Sequence, residues 1–241
     1  MLRLDNDIKS LQSFANRAYT NELSIQKTVL RDLLGGTLPP PHPIYVIIIL
    51  TPSRPPPGEQ NLLHQTDTTS SISSATSRVR SLATAWEDIL ARSVWQQAVG
   101  SLVDAVAAKM IADVMDLPSI GQDEAYNIAG LIASVEELDD LFLPSRLAQG
   151  AGQAQAQGAV KVEGEVPVTA QFAGNWLRLK YLSEVLQSNL KDVRFLWVEG
   201  ELSLYFTAEE VVDLVKVSFE DNVRTREVIR EIRGNVQPLG V

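Results

Sequence analysis

Apolar residues return every three or four positions through most of this chain, and almost nowhere at every second position. A period near 3.6 gathers such residues on one stripe of a helix, whereas a half-buried strand needs strict alternation. The first block runs through Leu4, Ile8, Leu11, Ala15, Ala18, Tyr19, Leu23, Val29, Leu30 and Leu33, and Gly35-Gly36 closes it. Glycine accepts the left-handed backbone at which helices often end. A second block places Val79, Leu82, Ala83, Trp86 and Ile89 on one face. After an interruption at 90–92, a third sets Val94, Ala98, Leu102, Ala105, Val106 and Met110 at helical steps as far as Met115, before Pro118. Ser119 and Gln122 stand at the spacing of a capping box, which predicts a helix over 120–142. Two more are predicted over 175–197 and 207–233, the last opened by a Thr207–Glu210 box and burying Val212, Val215, Phe219 and Val223. The fold class is therefore all α, with a first bundle over residues 1–143 and part of a second over 172–241.

Two stretches break the period. Residues 37–70 are rich in Pro, Ser and Thr and are expected to form an unpacked insertion. Within it, IYVIIIL at 44–50 is too short for a membrane span, which takes roughly 20 residues. It is also fenced by Pro39, Pro40, Pro41 and Pro43 before it and by Pro52, Pro55, Pro56 and Pro57 after it. Residues 144–171, with their Gln/Ala/Gly repetition, predict a flexible linker.

Thirty acidic residues against 21 basic ones give a net charge of −9, which repels phosphate backbones, so no nucleic-acid partner is expected. The absence of cysteine removes thiolate chemistry, disulfides and Cys-ligated zinc, consistent with a reducing, cytoplasmic setting. Asp5, Asp7 and Lys9 leave the first ten residues without the apolar core of a signal peptide, and a helical start is what a piece of a longer chain would show. His42 and His64 fall in the Pro/Ser/Thr stretch, so no metal site is expected and a carboxylate–histidine bundle enzyme lacks its ligands. Neither HExxH, nor GxSxG, nor a phosphate-binding loop occurs, and Gly150-Ala151-Gly152 belongs to the Gln/Ala repetition. Neither a cofactor nor a catalytic role is expected. Heptads are not sustained enough for a self-associating coiled coil.

Two charged clusters remain as candidates. Glu136, Glu137, Asp139 and Asp140 place four acids in five positions, pointing around much of a helix as a solvated surface does. Beside Leu141 and Phe142 they read as an acidic docking face. In the last helix Arg224, Arg226, Arg230 and Arg233 alternate with Glu220, Asp221, Glu227 and Glu231. That is more charge than one apolar stripe needs, and arginine is enriched at interface anchors, so Arg224, Arg226 and Arg230 are the candidate contacts for a protein. Trp86, Trp95, Trp176, Trp197 and the Tyr205-Phe206 pair are expected to anchor helices to the core.

The order of these features resembles the C-terminal part of the zeste-white ten family of centromere/kinetochore and membrane-tethering proteins. The resemblance is carried by the Trp-acid-Asp-hydrophobic-Leu run at 86–90, the small-residue helix with Gly100 and Ala105, and Val-Pro-Val at 166–168 leading to Trp176. It continues through the segment bearing Leu186, Gln187, Leu190 and Trp197 and the final helix opened by Phe206-Thr207 and Glu210-Val211. It implies an elongated antiparallel bundle of the tethering-complex rod type. It implies a non-catalytic scaffold peripheral to the endoplasmic reticulum, where Golgi-derived vesicles are captured before SNARE-mediated fusion, or a scaffold of the Rod–Zwilch–zeste-white ten type at kinetochores. The implied partner is an α-solenoid subunit of the Sec-thirty-nine, NAG or Rod kind, with only indirect association with SNAREs and membrane. The coiled region that the family pairs with its Tip-twenty or RINT-type partner has no counterpart in this sequence, so that contact is expected to be missing.

Overall fold

The structure, a computed structural model, describes residues 2–35, 57–148 and 165–234. Residues 44–50, His42 and most of the expected linker lie outside the described residues. Among the described residues the chain is all α and contains no strand. The first helices are α1 (Leu2–Leu33), α2 (Pro57–Glu87), α3 (Arg92–Met115) and α4 (Gln122–Glu136). A 3-10 segment (Glu137–Phe142) and the short α5 (Pro144–Ala148) follow. After a 3-10 turn (Thr169–Gln171) come α6 (Trp176–Gln187), α7 (Leu190–Val198), α8 (Leu202–Tyr205), α9 (Ala208–Ser218) and α10 (Val223–Gly234).

Helix α2 begins inside the stretch expected to be irregular. Proline is well suited to a first helical position, where its missing N–H is not needed, and no further proline interrupts the chain before Pro118. His64 therefore stands on a helix, not in a loop.

Three other boundaries are set by tertiary bonds. The helix expected from residue 120 starts at Gln122, because the amide of buried Ile120 donates to the Val217 carbonyl at 2.8 Å. No Ser119 box forms; Glu124 instead reaches back to the Gly121 amide at 3.4 Å. The helix expected over 175–197 is two, parted at Ser188-Asn189. There the Asn189 side chain accepts from the Lys191 and Asp192 amides at 2.9 and 3.2 Å and starts α7 afresh. The final helix also divides, at Phe219–Asn222, where Asn222 accepts from the Thr225 amide at 3.0 Å and the Thr225 hydroxyl donates to the Glu220 carbonyl at 2.8 Å. The expected stripe stops there: Val212 and Val215 are buried, Phe219 is half-buried and Val223 is exposed. The Thr207–Glu210 box forms as expected, with amide bonds of 3.3 and 2.8 Å.

Helices α2 and α3 form an antiparallel pair, fixed near their connection by the Trp95 indole N–H donating to the Ala83 carbonyl at 2.7 Å. Helix α6 lies antiparallel to α4 and also touches α3, with Trp176, Leu179 and Leu182 wholly buried. Each such side chain contributes about 1.5–3 kcal/mol by leaving water. One apolar cluster runs from Leu30 on α1 to Ile232 on α10. The boundary expected between a first and a second bundle therefore does not divide the core. The C-terminal half of α1 joins the core through Leu30, Leu34 just beyond its end, and the Arg78–Gln26 bond of 2.8 Å, while Ile8, Leu11 and Phe14 in its N-terminal half are exposed. No helix of the described residues is long and apolar enough to cross a membrane.

Candidate interaction surface

The acidic cluster is mostly a set of internal clamps. Helix α4 tightens at its end into a 3-10 spiral, whose three-residue turn sends successive acids toward different neighbours. Asp139 accepts from the Trp176 indole at 2.8 Å and the Lys180 ammonium at 2.6 Å, and also from the Thr169 hydroxyl. Its side chain is 16% exposed, so these charge-assisted bonds act in a medium poorer than water and hold the 165–180 segment against α4. Asp140 takes both bonds from one guanidinium nitrogen of Arg80, at 2.6 and 2.9 Å, and Arg80 also donates to the Glu137 carbonyl at 2.9 Å. Glu137 alone of the four is exposed, while Glu136 is half-buried. Burial pushes the Glu136 carboxyl up; nearby Lys180 pulls against this and Asp139 adds to it. The face expected to be solvated is thus largely occupied by partners from α2, α6 and the turn before α6.

The arginines of α10 do not form one face. The inward stripe of Thr225, Val228, Ile229 and Ile232 puts Arg226 and Arg233 on one flank and Arg224 on the other, with Arg230 near the outer edge. Arg226 is held by Asp221 at 2.7 and 2.8 Å, and Arg233 by Glu209 at 3.0 and 2.9 Å. On the other flank Glu231 binds Arg194 of α7 through two bonds of 2.5 Å. Hydrogen bonding from these arginines holds the Asp221, Glu209 and Glu231 carboxyls below the usual carboxylate range. Arg224 and Arg230 are exposed and have no side-chain bond to another described residue. The structure thus separates the three expected contacts: two remain open to a partner and Arg226 is engaged within the chain.

Next to the C-terminal helices, Arg178 carries a more buried junction. Its guanidinium binds Glu210 at 2.5 Å and lies 4.9 Å from the Phe206 ring centroid. Burial pushes the Glu210 carboxyl up, but bonds from the Thr207 amide and hydroxyl, and from Arg178, outweigh it and leave it lowered. Trp197 is buried and donates to the Ile232 carbonyl at 3.2 Å, whereas Trp86 is half-buried, so the expected anchors differ in depth. The sequence reading did not find a depression lined by Ile120, Tyr126, Leu186, Asp192 and Phe219. These residues come from four elements, and no local spacing joins them.

Charged side chains that mainly join helix to helix, over a core shared by both ends of the chain, define a helical packing domain; no group of three His, Cys, Asp or Glu residues among the described ones could hold a metal ion. The family model described as the ZW10 C-terminal helical domain matches residues 70–232, and the chain belongs to that family. The centromere/kinetochore protein zw10 homolog of Rattus norvegicus is 24% identical over 159 residues, covering 65% of this chain and 19% of its own length. The Mus musculus homolog matches to the same extent. The centromere/kinetochore protein zw10 of Drosophila grimshawi is 22% identical over 228 residues, covering 93% of this chain and 26% of its own length. The chain thus spans between about a fifth and a quarter of the length of these relatives.

Proposed function

We propose that this domain is a non-catalytic scaffold in a multisubunit tethering complex that captures Golgi-derived vesicles at the endoplasmic reticulum, and that it binds an α-solenoid subunit through the outer side of α10. The observation that supports this reading is family membership over residues 70–232, joined to two unengaged arginines, Arg224 and Arg230, on a helix whose other arginine contacts are internal. Such exposed guanidinium groups steer association and anchor a partner without being needed for the fold. On this reading the protein is cytoplasmic and peripheral to the membrane, touching SNAREs only through other subunits.

A second reading rests on the names of the relatives, each a centromere/kinetochore protein: the same domain scaffolds a kinetochore complex. Both are tested by tagging the full-length natural protein and identifying its stable subunits, then reconstituting this chain with the solenoid subunit found. Copurification of vesicle-tethering subunits supports the first reading, and of kinetochore subunits alone the second. In the reconstituted pair, Arg224→Glu with Arg230→Glu is expected to weaken capture while leaving the melting temperature unchanged. Undiminished capture would remove α10 from the interface, and failure of the unaltered chain to hold any solenoid subunit would sink the proposal.

A further inference from the structure

Three helix ends that are distant in sequence meet around one depression. The start of α4, the α6–α7 junction and the end of α9 enclose about 410 Å³, a size suited to one or two side chains of a bound segment. Its wall is mixed: Ile120 and Leu186 are buried and Phe219 is half-buried, beside polar Gln122, Gln187 and Ser218. Tyr126 stands at its edge, 53% exposed, a large aromatic on the solvent side of α4 next to exposed Asn127. A second depression of about 380 Å³, bounded by Glu136, Lys180 and Glu184, shares Gln187 and Ser188 with the first. The two meet at the end of α6, the second being the shallower.

Their charges are one-sided. Among the described residues Asp192 is the single charged one lining the first depression, and Asp123 and Glu124 sit in the first turn of α4 beside Gln122 in its wall. In the second depression Glu136 and Glu184 face Lys180, but the Lys180 ammonium is bound to Asp139 at 2.6 Å, so its charge is largely compensated from within. Lys191 precedes Asp192 on α7 and points about 100° away around that helix. An acidic rim of this kind repels nucleic acid and anionic membrane surfaces. It is equally unsuited to a second copy of a chain of net charge −9.

We propose that these adjoining depressions dock an extended segment of a partner protein in which a bulky apolar side chain is flanked by lysine or arginine. The apolar side chain enters between Tyr126, Leu186 and Phe219, and the flanking cations meet Asp192 on one side and Glu136 and Glu184 on the other. Neither Arg224 nor Arg230 lines either depression, so the contact uses other side chains than the one proposed for the solenoid subunit.

The test pans a displayed library of short disordered peptide segments against the full chain, then remakes enriched sequences as fluorescent synthetic peptides. Enrichment of apolar residues bracketed by Lys or Arg supports the proposal. So does a loss of about tenfold or more in affinity for Tyr126→Ala and for Asp192→Lys, with binding that weakens as salt is added. Asp213→Lys, a remote charge reversal on α9, is expected to leave affinity unchanged. Asp192 also accepts from the Asn189 side-chain amide at 2.5 Å, so if Asp192→Lys lowers the melting temperature, Tyr126→Ala alone decides. No enrichment over a bare support, or enriched peptides indifferent to Tyr126→Ala, overturns the proposal. A dimer broken by these substitutions without peptide binding would assign the depressions to a second copy and equally overturn it.

Discussion

The main-chain oxygen of Phe172 lies 2.7 Å from the point at which a side chain on Gly100 would begin, with the Phe172 carbonyl carbon at 2.9 Å. Helix α3 can approach the turn before α6 this closely only where it presents no Cβ. Phe172 is thereby brought into stacking contact with Phe142, at a centroid distance of 5.9 Å.

Gly100→Ala is therefore expected to destabilise the fold, even though alanine is the better helix former by about 0.5–1 kcal/mol. Backbone, not a flexible side chain, has to move, and overpacking of this kind costs about 1–3 kcal/mol. Gly130, on the exposed side of α4, has nothing within 4 Å of the corresponding position. Gly130→Ala is expected to raise stability by roughly 0.5–1 kcal/mol. Urea unfolding of the two variants side by side checks the pair; equal shifts of one sign would refute the geometric account.

Removing the Asp139 carboxylate leaves a hydroxyl, an indole N–H and an ammonium without their common acceptor. Asp139→Ala should lower stability by about 1.5–3 kcal/mol, the range for hydrogen bonds to charged groups. Asp139→Asn keeps an acceptor oxygen but loses the charge facing Lys180, and is expected to fall between. Of the four tryptophans Trp176 donates to Asp139, so a change in tryptophan emission on mutation that precedes global unfolding would show the segment loosening.

Acid should weaken the carboxylate bonds that hold the C-terminal helices. Glu210, Glu209, Asp221 and Glu231 all have lowered carboxyl pKa values, so their contribution is present above the ordinary carboxylate range and is lost as pH falls through their folded values. Glu136 has the opposite sign: its raised value means that ionisation costs stability, and acid relieves that cost. Glu209, Asp221 and Glu231 lie in surface pairs that solvent screens, so part-buried Glu210 carries most of the expected fall in the urea midpoint between about pH 5 and about pH 2. Glu210→Gln should lower the midpoint near neutrality and flatten the acid limb. An acid limb that is unchanged in this variant would exclude Glu210 as a contributor.

The helices were legible because their apolar spacing is a local signal, and so was the Thr207–Glu210 box, whose two partners are three residues apart. Helix ends made by distant partners were not. Nothing near Ser119 announces that the Ile120 amide will be taken by Val217, and nothing in the valine spacing of the last segment announces a break at Phe219. The acids at 136–140 looked solvated for the same reason, since Arg80, Thr169, Trp176 and Lys180 reach them from up to 60 residues away. Trp86 and Trp197 are indistinguishable as letters, yet only the second is fully covered.

The seating of α6 against α3 and α4 has a consequence for how the chain is made. Trp176, Leu179 and Leu182 pack against α3 and α4, so until residue 187 has left the ribosome the sides of those two helices that face α6 are uncovered, although α1 and α2 can already pack on their other sides. At a synthesis rate of about 5–20 residues per second, the chain needs roughly 3–10 seconds to run from Glu136 to Gln187. During that interval the nascent chain presents an unfinished, sticky surface. The domain is thus expected to engage general chaperones during translation, and truncations that stop before α6 should accumulate as aggregates and not as smaller folded bundles.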